Sequence, residues 1–204
     1  RLWIVTNEKV LIKTNQTHVA KIKNSPKNVI YSTIYKDKKG IIWLGTINHG
    51  LFKWDGKQFI HEKTSNLKII KSIYFIEEDD SENLYFSTEF GFIKWTKSTN
   101  KVFYVKMYNE NKESMLVQPT ALVFDKFNPN LVWISTREKG LIKFNRYDTL
   151  ATVYGFQPKK SSEYSLSATD AQIVFQDSRN WIWVGTSNGI DILNPETGKY
   201  KHIY

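Results

Sequence analysis

A short pattern of apolar and polar positions recurs along the chain: an apolar residue, an aromatic residue, a second apolar residue, a usually small residue and a threonine. The threonines are separated by 40, 42, 48 and 50 residues. A repeat of about 40–50 residues made of short strands is typical of β-propeller blades. The five copies are Leu2–Thr6, Ile42–Thr46, Leu84–Thr88, Val132–Thr136 and Ile182–Thr186.

The residues around each copy predict the other strands of a blade. In four copies a glycine follows the threonine by three or four positions and precedes an apolar-rich run, which predicts a hairpin with a tight turn. In three copies an aspartate stands nine residues before the threonine, just after an apolar run. We interpret that run as the inner strand and the aspartate as the start of a turn. The aspartates are Asp37, Asp79 and Asp177, and the glycines are Gly50, Gly91, Gly140 and Gly189.

The sequence therefore predicts an all-β chain, a β-propeller built of four-stranded antiparallel blades. Four complete blades are expected at about 28–63, 69–108, 117–157 and 168–204. An incomplete N-terminal blade at about 1–23 lacks its inner strand, because the pattern begins at residue 2. Two arrangements fit this count: a fragment of a larger propeller, or a five-bladed ring whose first blade takes its inner strand from elsewhere.

Composition narrows the classes of protein and of site. A content of 41% hydrophobic and 15% aromatic residues is ample for a buried core. Without cysteine, the chain can form neither a disulfide nor a thiolate metal site. No apolar run approaches the ~18 residues of a membrane-spanning helix, so we expect no direct membrane insertion by this segment. The net charge of +9 comes from lysines spread over turns and outer strands, which predicts a solvated basic surface rather than a nucleic-acid site.

The signature residues are interpreted as structural. Patterned aromatic positions provide apolar area between neighbouring blades, and small residues leave room for the adjacent sheet. The threonine hydroxyl is expected to satisfy a backbone group at the turn. The aromatic positions are Trp3, Trp43, Tyr85, Trp133 and Trp183, and the threonines after the first copy are Thr46, Thr88, Thr136 and Thr186.

Function is then expected in the loops between the second and third strands, which emerge on a common face of a propeller. These loops carry side chains that form directional hydrogen bonds, as a sugar or another polar ligand requires. The residues predicted to contact such a ligand are Asn48, His49, Arg137, Glu138 and Asn188.

Catalytic and metal chemistry find little support in the sequence. The dense carboxylate cluster at residues 77–82 lacks the alternating ligand order of a calcium loop and is interpreted as a solvated turn. The four histidines fall at different repeat positions without metal-ligand spacing. Glu89 with Glu138 is the one pairing to consider for a glycosidase. We therefore predict no catalytic residue, no metal and no cofactor.

Three runs resemble the propeller repeats of bacterial hybrid two-component regulators. Residues 37–51 resemble the family pattern D-x-x-G-x-I-W-x-G-T-x-x-x-G-L almost throughout, residues 177–190 resemble it with Asn180 replacing the glycine, and residues 194–200 resemble the family's turn into the outer strand.

The resemblance implies a sensory domain in the periplasm, part of a membrane-anchored histidine kinase that detects or transmits the binding of a carbohydrate fragment. It implies an oligosaccharide partner, a homodimer through the parent protein and no catalysis by this segment. Two alternatives stay open: a protein-interaction or dimerisation scaffold, and a propeller lyase or hydrolase.

Overall fold

A computed structural model describes residues 2–6, 9–13, 19–22, 25–63, 67 and 70–204. Its regular structure is nearly all β-strand, with a short 3-10 helix at Ser162–Tyr164. Within these described ranges no helix is long and apolar enough to cross a bilayer. The predicted all-β class is confirmed.

Over the described ranges the strands form one three-stranded and four four-stranded antiparallel sheets, each with its strands in chain order. The prediction of four complete blades and one incomplete N-terminal blade is therefore confirmed. The first blade holds β1 (Leu2–Val5), β2 (Val10–Lys13) and β3 (Val19–Lys21). The second holds β4 (Ile30–Lys36), β5 (Ile42–Ile47), β6 (Leu51–Trp54) and β7 (Phe59–His61). The third holds β8 (Ile73–Glu78), β9 (Leu84–Thr88), β10 (Gly91–Thr96) and β11 (Lys101–Tyr104). The fourth holds β12 (Pro119–Phe124), β13 (Leu131–Thr136), β14 (Gly140–Asn145) and β15 (Ala151–Tyr154). The fifth holds β16 (Ala171–Gln176), β17 (Ile182–Thr186), β18 (Gly189–Asn194) and β19 (Lys199–Ile203).

The chain divides into two compact units, residues 1–104 and residues 105–204. In the first unit β1 packs on β4, and β4 and β5 pack on β8. In the second unit β12 and β13 pack on β16. The inner strands β4 and β12 thus contact the next blade of their own unit, which is how propeller blades stack.

The signature aromatic residue fills the space between consecutive blades. Trp43 is buried in a cluster that contains Ile73 and Trp95 of the next blade, and its ring meets the Trp95 ring edge-on at 5.6 Å. Burying such a ring stabilises the stack by roughly 1.5–3 kcal/mol. Trp3 meets Trp54 of the second blade at 5.4 Å in the same edge-on manner.

All four described inner strands carry a β-bulge at the same place, opposite the small signature residue. Thr33 faces Gly45 and Tyr31 faces Thr46, so Ser32 is the extra residue and its hydroxyl donates to the Ile73 carbonyl of the next blade. Thr120 is the extra residue of the fourth blade and donates to the Ala171 carbonyl at 2.7 Å. In the second and fourth blades the bulge therefore aims a hydroxyl at the neighbouring inner strand.

Two of the three predicted turn aspartates, Asp37 and Asp177, bind both their own turn and the signature tryptophan. Trp43 Nε1 donates to Asp37 Oδ2 at 2.9 Å, and the Ile41 amide donates to Asp37 Oδ1 at 2.8 Å. Trp183 Nε1 donates to Asp177 Oδ2 at 3.2 Å in the fifth blade. The aspartate thus fixes the turn and the ring orientation with a single carboxylate.

The interpretation of residues 77–82 as a solvated turn is wrong. Glu78 and Asp79 are buried. Glu78 accepts the Lys38 amide at 2.6 Å and the Lys97 ammonium at 2.9 Å, while Glu77 accepts the Tyr35 hydroxyl at 2.9 Å. The carboxylates bind groups of the second blade and of their own blade, so the cluster joins two blades.

Candidate functional site

The loops between the second and third strands of the complete blades share one construction. The signature threonine donates its hydroxyl to the carbonyl of the following glycine, which has a positive φ. These bonds close the hairpin from within and leave the loop tip to solvent. The distances are 2.7 Å for Thr46–Gly50, 3.0 Å for Thr88–Gly91, 2.8 Å for Thr136–Gly140 and 3.2 Å for Thr186–Gly189.

In the first unit Asn48 and His49 form an exposed loop tip. Asn48 adopts φ +66°, a conformation that asparagine tolerates better than most residues. Its amide donates to Ser72 Oγ at 3.2 Å, and Ser72 Oγ donates to Asn48 Oδ1 at 3.4 Å. His49 Nδ1 lies 3.1 Å from the Ile47 carbonyl. Both side chains already have local partners, and their contact with a ligand stays a prediction.

In the second unit Arg137 opens onto a hollow of about 480 Å³, which we call the Arg137 hollow. Its walls are Thr120, Arg137, Asp170, Ala171 and Gln172. The Arg137 amide donates to the Gln118 carbonyl at 3.1 Å, which fixes the loop. The guanidinium has no hydrogen bond or ion pair with any residue in the described part of the chain. It is an exposed cation available to a ligand.

Asp170 provides the negative charge of the Arg137 hollow. Ser187 Oγ donates to Asp170 Oδ1 at 2.5 Å and Gln172 Nε2 donates to Oδ2 at 3.2 Å. The hydrogen bond from Ser187 lowers the pKa of Asp170, and the bond from Gln172 lowers that pKa further. The carboxylate is therefore ionised at neutral pH. Its two hydrogen bonds fix its position in the hollow that Arg137 also lines.

Glu138 belongs to a different depression from its neighbour Arg137. It lines a groove of about 600 Å³ together with Met115, Leu116, Val153 and Phe156, which we call the Leu116 groove. Asn188 is exposed and its amide donates to Thr186 Oγ1 at 3.1 Å. Within the second unit, the predicted contact residues Arg137 and Glu138 therefore line different depressions.

Of the two carboxylates considered for a glycosidase, Glu89 and Glu138, Glu89 has a structural role. Glu89 Oε1 accepts the Lys71 amide at 2.8 Å and Oε2 accepts the Ser72 amide at 2.9 Å. Both oxygens thus hold the backbone that leads into β8. Among the described residues, no three histidine or carboxylate side chains gather in a way that could hold a metal ion. His18, one of the four histidines of the sequence, lies outside those residues.

His202 forms the one close histidine–carboxylate pair in the described residues. Its Nδ1 lies 2.6 Å from Asp191 Oδ1, and its Nε2 lies 2.9 Å from the Ser162 carbonyl. Asp191 also accepts the Ser167 amide at 2.7 Å and the Ser167 hydroxyl at 3.0 Å. Ser167 is directed at Asp191 rather than at His202, so the group lacks the nucleophile–base contact of a hydrolase triad.

Sequence reasoning missed Asp170 and Gln172. They flank Ala171 at the start of β16, where an apolar inner strand was expected. The sequence signal that could have found them is a pair of polar residues around an alanine, directly after a Ser-Ala-Thr run.

Comparisons with known proteins agree with this architecture. Residues 24–48 match the family model described as two component regulator propeller. A histidine kinase of Formosa agariphila is 30% identical over 210 aligned positions, which cover 94% of this chain and 14% of the relative. The chain therefore spans about one seventh of the length of that relative.

Two solved structures show the same fold. The extracellular domain of a hybrid two component system from B. thetaiotaomicron superposes with a TM-score of 0.69 at 20% identity, covering 90% of this chain and 26% of that one. Virginiamycin B lyase from Staphylococcus aureus superposes with a TM-score of 0.69 at 11% identity, covering 98% of this chain and 65% of that one. The chain thus has the repeated four-stranded blades of a β-propeller, and its residues 24–48 match the two component regulator propeller repeat.

Proposed function

We propose that this chain is a sensory propeller of a two-component signalling protein, exposed to the periplasm, which binds a small carbohydrate fragment without chemistry of its own. Support comes from the repeat and from the histidine kinase that is 30% identical to nearly the whole chain. The fold is also that of an extracellular domain of a hybrid two component system.

The observation that carries the proposal is the composition of the Arg137 hollow. Arg137 offers only donors, Asp170 offers only acceptors, and Gln172 offers both kinds of group. A volume of about 480 Å³ is within the range of small-molecule sites. Such a set suits a ligand with several hydroxyl groups, each of which both donates and accepts.

A thermal-shift screen of the purified chain against defined neutral and acidic oligosaccharides tests this function. A saccharide that binds only the folded state raises the melting temperature, by an amount equivalent to about 2.7 kcal/mol at one hundred times the dissociation constant. We expect Asp170→Ala to abolish the shift and Glu196→Ala, an exposed residue at another turn, to preserve it. The proposal fails if no saccharide shifts the wild-type protein.

A dimerisation scaffold is the second candidate, because the Leu116 groove exposes apolar side chains. Leu116 is 89% exposed and Phe156 is 43% exposed. Large apolar side chains left open to water often mark contact surfaces between proteins. Sedimentation velocity should then show a concentration-dependent dimer that Leu116→Ser weakens. A monomer at all concentrations would remove this candidate.

A further inference from the structure

We propose that the Arg137 hollow selects a saccharide carrying a carboxylate, as a uronate does, with the Arg137 guanidinium binding the carboxylate and Asp170 accepting a neighbouring hydroxyl. This inference rests on the proposed saccharide-binding function and adds the chemical class of the ligand. The two charged groups of the hollow differ in whether the protein already binds them: Asp170 has partners and the Arg137 guanidinium has none in the described part of the chain.

The negative charge is held by the protein, whereas the positive charge is not. Asp170 accepts one hydrogen bond at each oxygen, from Ser187 and from Gln172. Arg137 has its backbone bonded to Gln118, while its guanidinium lacks a hydrogen-bond or ion-pair partner throughout the described ranges. A ligand that enters the hollow therefore meets one uncommitted charge, and that charge is positive.

Guanidinium geometry favours a planar oxyanion. Its parallel N–H groups match the two oxygens of a carboxylate, which gives two charge-assisted hydrogen bonds in a fixed orientation. A neutral sugar could occupy the same space, but it would leave the guanidinium bonded to single hydroxyl groups. The pair of parallel N–H groups, the guanidinium fork, is therefore what allows Arg137 to bind an acidic sugar in preference to a neutral one.

The remaining groups of the hollow suit the rest of a sugar ring. Each Asp170 oxygen keeps a lone-pair site beyond the bond that it already accepts, so it can take a hydroxyl proton. Gln172 donates its amide to Asp170 and keeps its carbonyl oxygen as an acceptor. One ligand could then bind Arg137 through its carboxylate and bind Asp170 and Gln172 through its hydroxyl groups.

The competing explanation is that Arg137 is an exposed turn residue whose charge only solvates the loop. The net charge of +9 would then attract any anion weakly. The two explanations predict different effects on anion binding when a single positive charge is removed. Loss of any exposed cation weakens a general field slightly, whereas loss of Arg137 removes the preference for a carboxylate.

Isothermal titration calorimetry with cellobiuronic acid and cellobiose tests this difference, because the two disaccharides differ by a single carboxylate. We expect the wild-type chain to bind the acid about 10- to 100-fold more tightly. Arg137→Gln should bind both sugars with similar affinity, and Arg137→Lys should keep only part of the preference because it lacks the fork. Lys159→Gln, an exposed residue of the same unit, should keep the full preference.

Equal affinity of the wild-type chain for both sugars would overturn the carboxylate assignment and leave saccharide binding intact. A preference that persists in Arg137→Gln would overturn the role of Arg137. Absence of binding by either disaccharide, together with no shift in the oligosaccharide screen, would overturn the proposed function itself and this inference with it. Circular dichroism of each variant checks that the fold is retained.

Discussion

Trp133 Nε1 donates a hydrogen bond to Asp125 Oδ2 at 2.8 Å, the same contact that Trp43 makes with Asp37. Asp125 stands eleven residues before Thr136 rather than nine, because the turn of the fourth blade is two residues longer. The Phe127 and Asn128 amides both donate to Asp125 Oδ1 at 2.9 Å. The contact between carboxylate and indole is therefore kept while the turn length varies.

Removal of this carboxylate should destabilise the second unit strongly. Asp125→Ala leaves the Trp133 indole and two turn amides without an acceptor, so we expect the free energy of unfolding to fall by about 2–4 kcal/mol. Urea unfolding followed by circular dichroism measures the loss. In a double-mutant cycle with Trp133→Phe, the coupling energy should be about 1–2 kcal/mol. A coupling energy near zero would show that the two side chains act independently.

The contribution of the hairpin threonine hydroxyl to stability can also be measured by mutation. Thr136 Oγ1 donates to the Gly140 carbonyl at 2.8 Å and accepts the Lys139 amide at 3.1 Å, and the residue is buried. Thr136→Val keeps the shape but leaves both backbone groups unsatisfied, which should cost about 1–3 kcal/mol in urea unfolding. Thr136→Ser, which retains the hydroxyl, is the control. Equal losses in the two variants would assign the effect to packing instead.

Gly45 is small because atoms of two strands approach it. A Cβ at this position would lie 2.6 Å from Thr33 Cγ2 and 3.1 Å from the Ile73 carbonyl oxygen of the next blade. We expect Gly45→Ala to lower the free energy of unfolding by about 1–3 kcal/mol through overpacking. Adding Thr33→Ala removes the closest atom and should recover part of that loss. If the double variant is no more stable than Gly45→Ala, the Thr33 contact is not the cause.

The sequence predicted the blades because the signature repeats with little change. It missed Asp125 because Asn128-Pro129-Asn130 lengthens the turn and moves the aspartate out of the nine-residue spacing. It missed the bulges because a bulge is a shift in register between two paired strands. The hydrophobic pattern of the inner strand alone does not show such a shift. Repetition thus reveals strands, whereas local irregularities need the paired structure.

The candidate site was predicted less completely than the blades. The loop containing Arg137 followed from the hairpin rule, but its neighbour Glu138 lines another groove. Asp170 and Gln172 come from the following blade, so their approach to Arg137 depends on how two sheets of the second unit pack. Spacing within one repeat carries no information on such contacts.

Lys97 is a further residue whose role depends on packing between sheets. Its ammonium lies 3.1 Å from Asp37 Oδ2 and 2.9 Å from Glu78 Oε1, and both carboxylate side chains are fully buried. Lys97→Met leaves two buried carboxylates unpaired, so we expect a loss of about 3–5 kcal/mol at neutral pH in urea unfolding. Lys39→Met, which breaks an exposed pair with Glu82, should cost no more than about 1 kcal/mol.

The pH dependence of the Lys97 variant follows from Asp37. Burial raises the pKa of Asp37, but the hydrogen bonds from Trp43, Ile41 and Lys97 outweigh burial and lower that pKa. A lowered folded-state pKa stabilises the protein above the unfolded value of about 3.9, and this stability is lost as pH falls through the folded-state pKa. Lys97→Met should therefore differ less from wild type in acid than at neutral pH. A pH-independent difference would contradict the ion-pair role.

His202 should make stability fall as the pH rises. Both ring nitrogens face acceptors, Asp191 Oδ1 and the Ser162 carbonyl, so both must carry a proton for both bonds to form. Burial lowers the pKa of His202, but the bonds to Asp191 and Ser162 outweigh burial and raise that pKa. The Tyr200 and Tyr204 rings stack on the imidazole from β19 and the residue after it.

A raised folded-state pKa stabilises the protein fully below the unfolded value of about 6.5, and this stability is lost as pH rises through the folded-state pKa. Urea unfolding at several pH values from about 5.5 to 8.5, where histidine titrates, measures the slope. His202→Gln should be less stable by about 1–3 kcal/mol at the acidic end and should flatten the slope. His49→Gln, an exposed loop variant, should retain the wild-type slope. If the free energy of unfolding of His202→Gln depended on pH as steeply as that of the wild type, a group other than His202 would be responsible for the pH dependence. The hydrogen bond between the imidazolium and the Ser162 carbonyl would then not contribute to it.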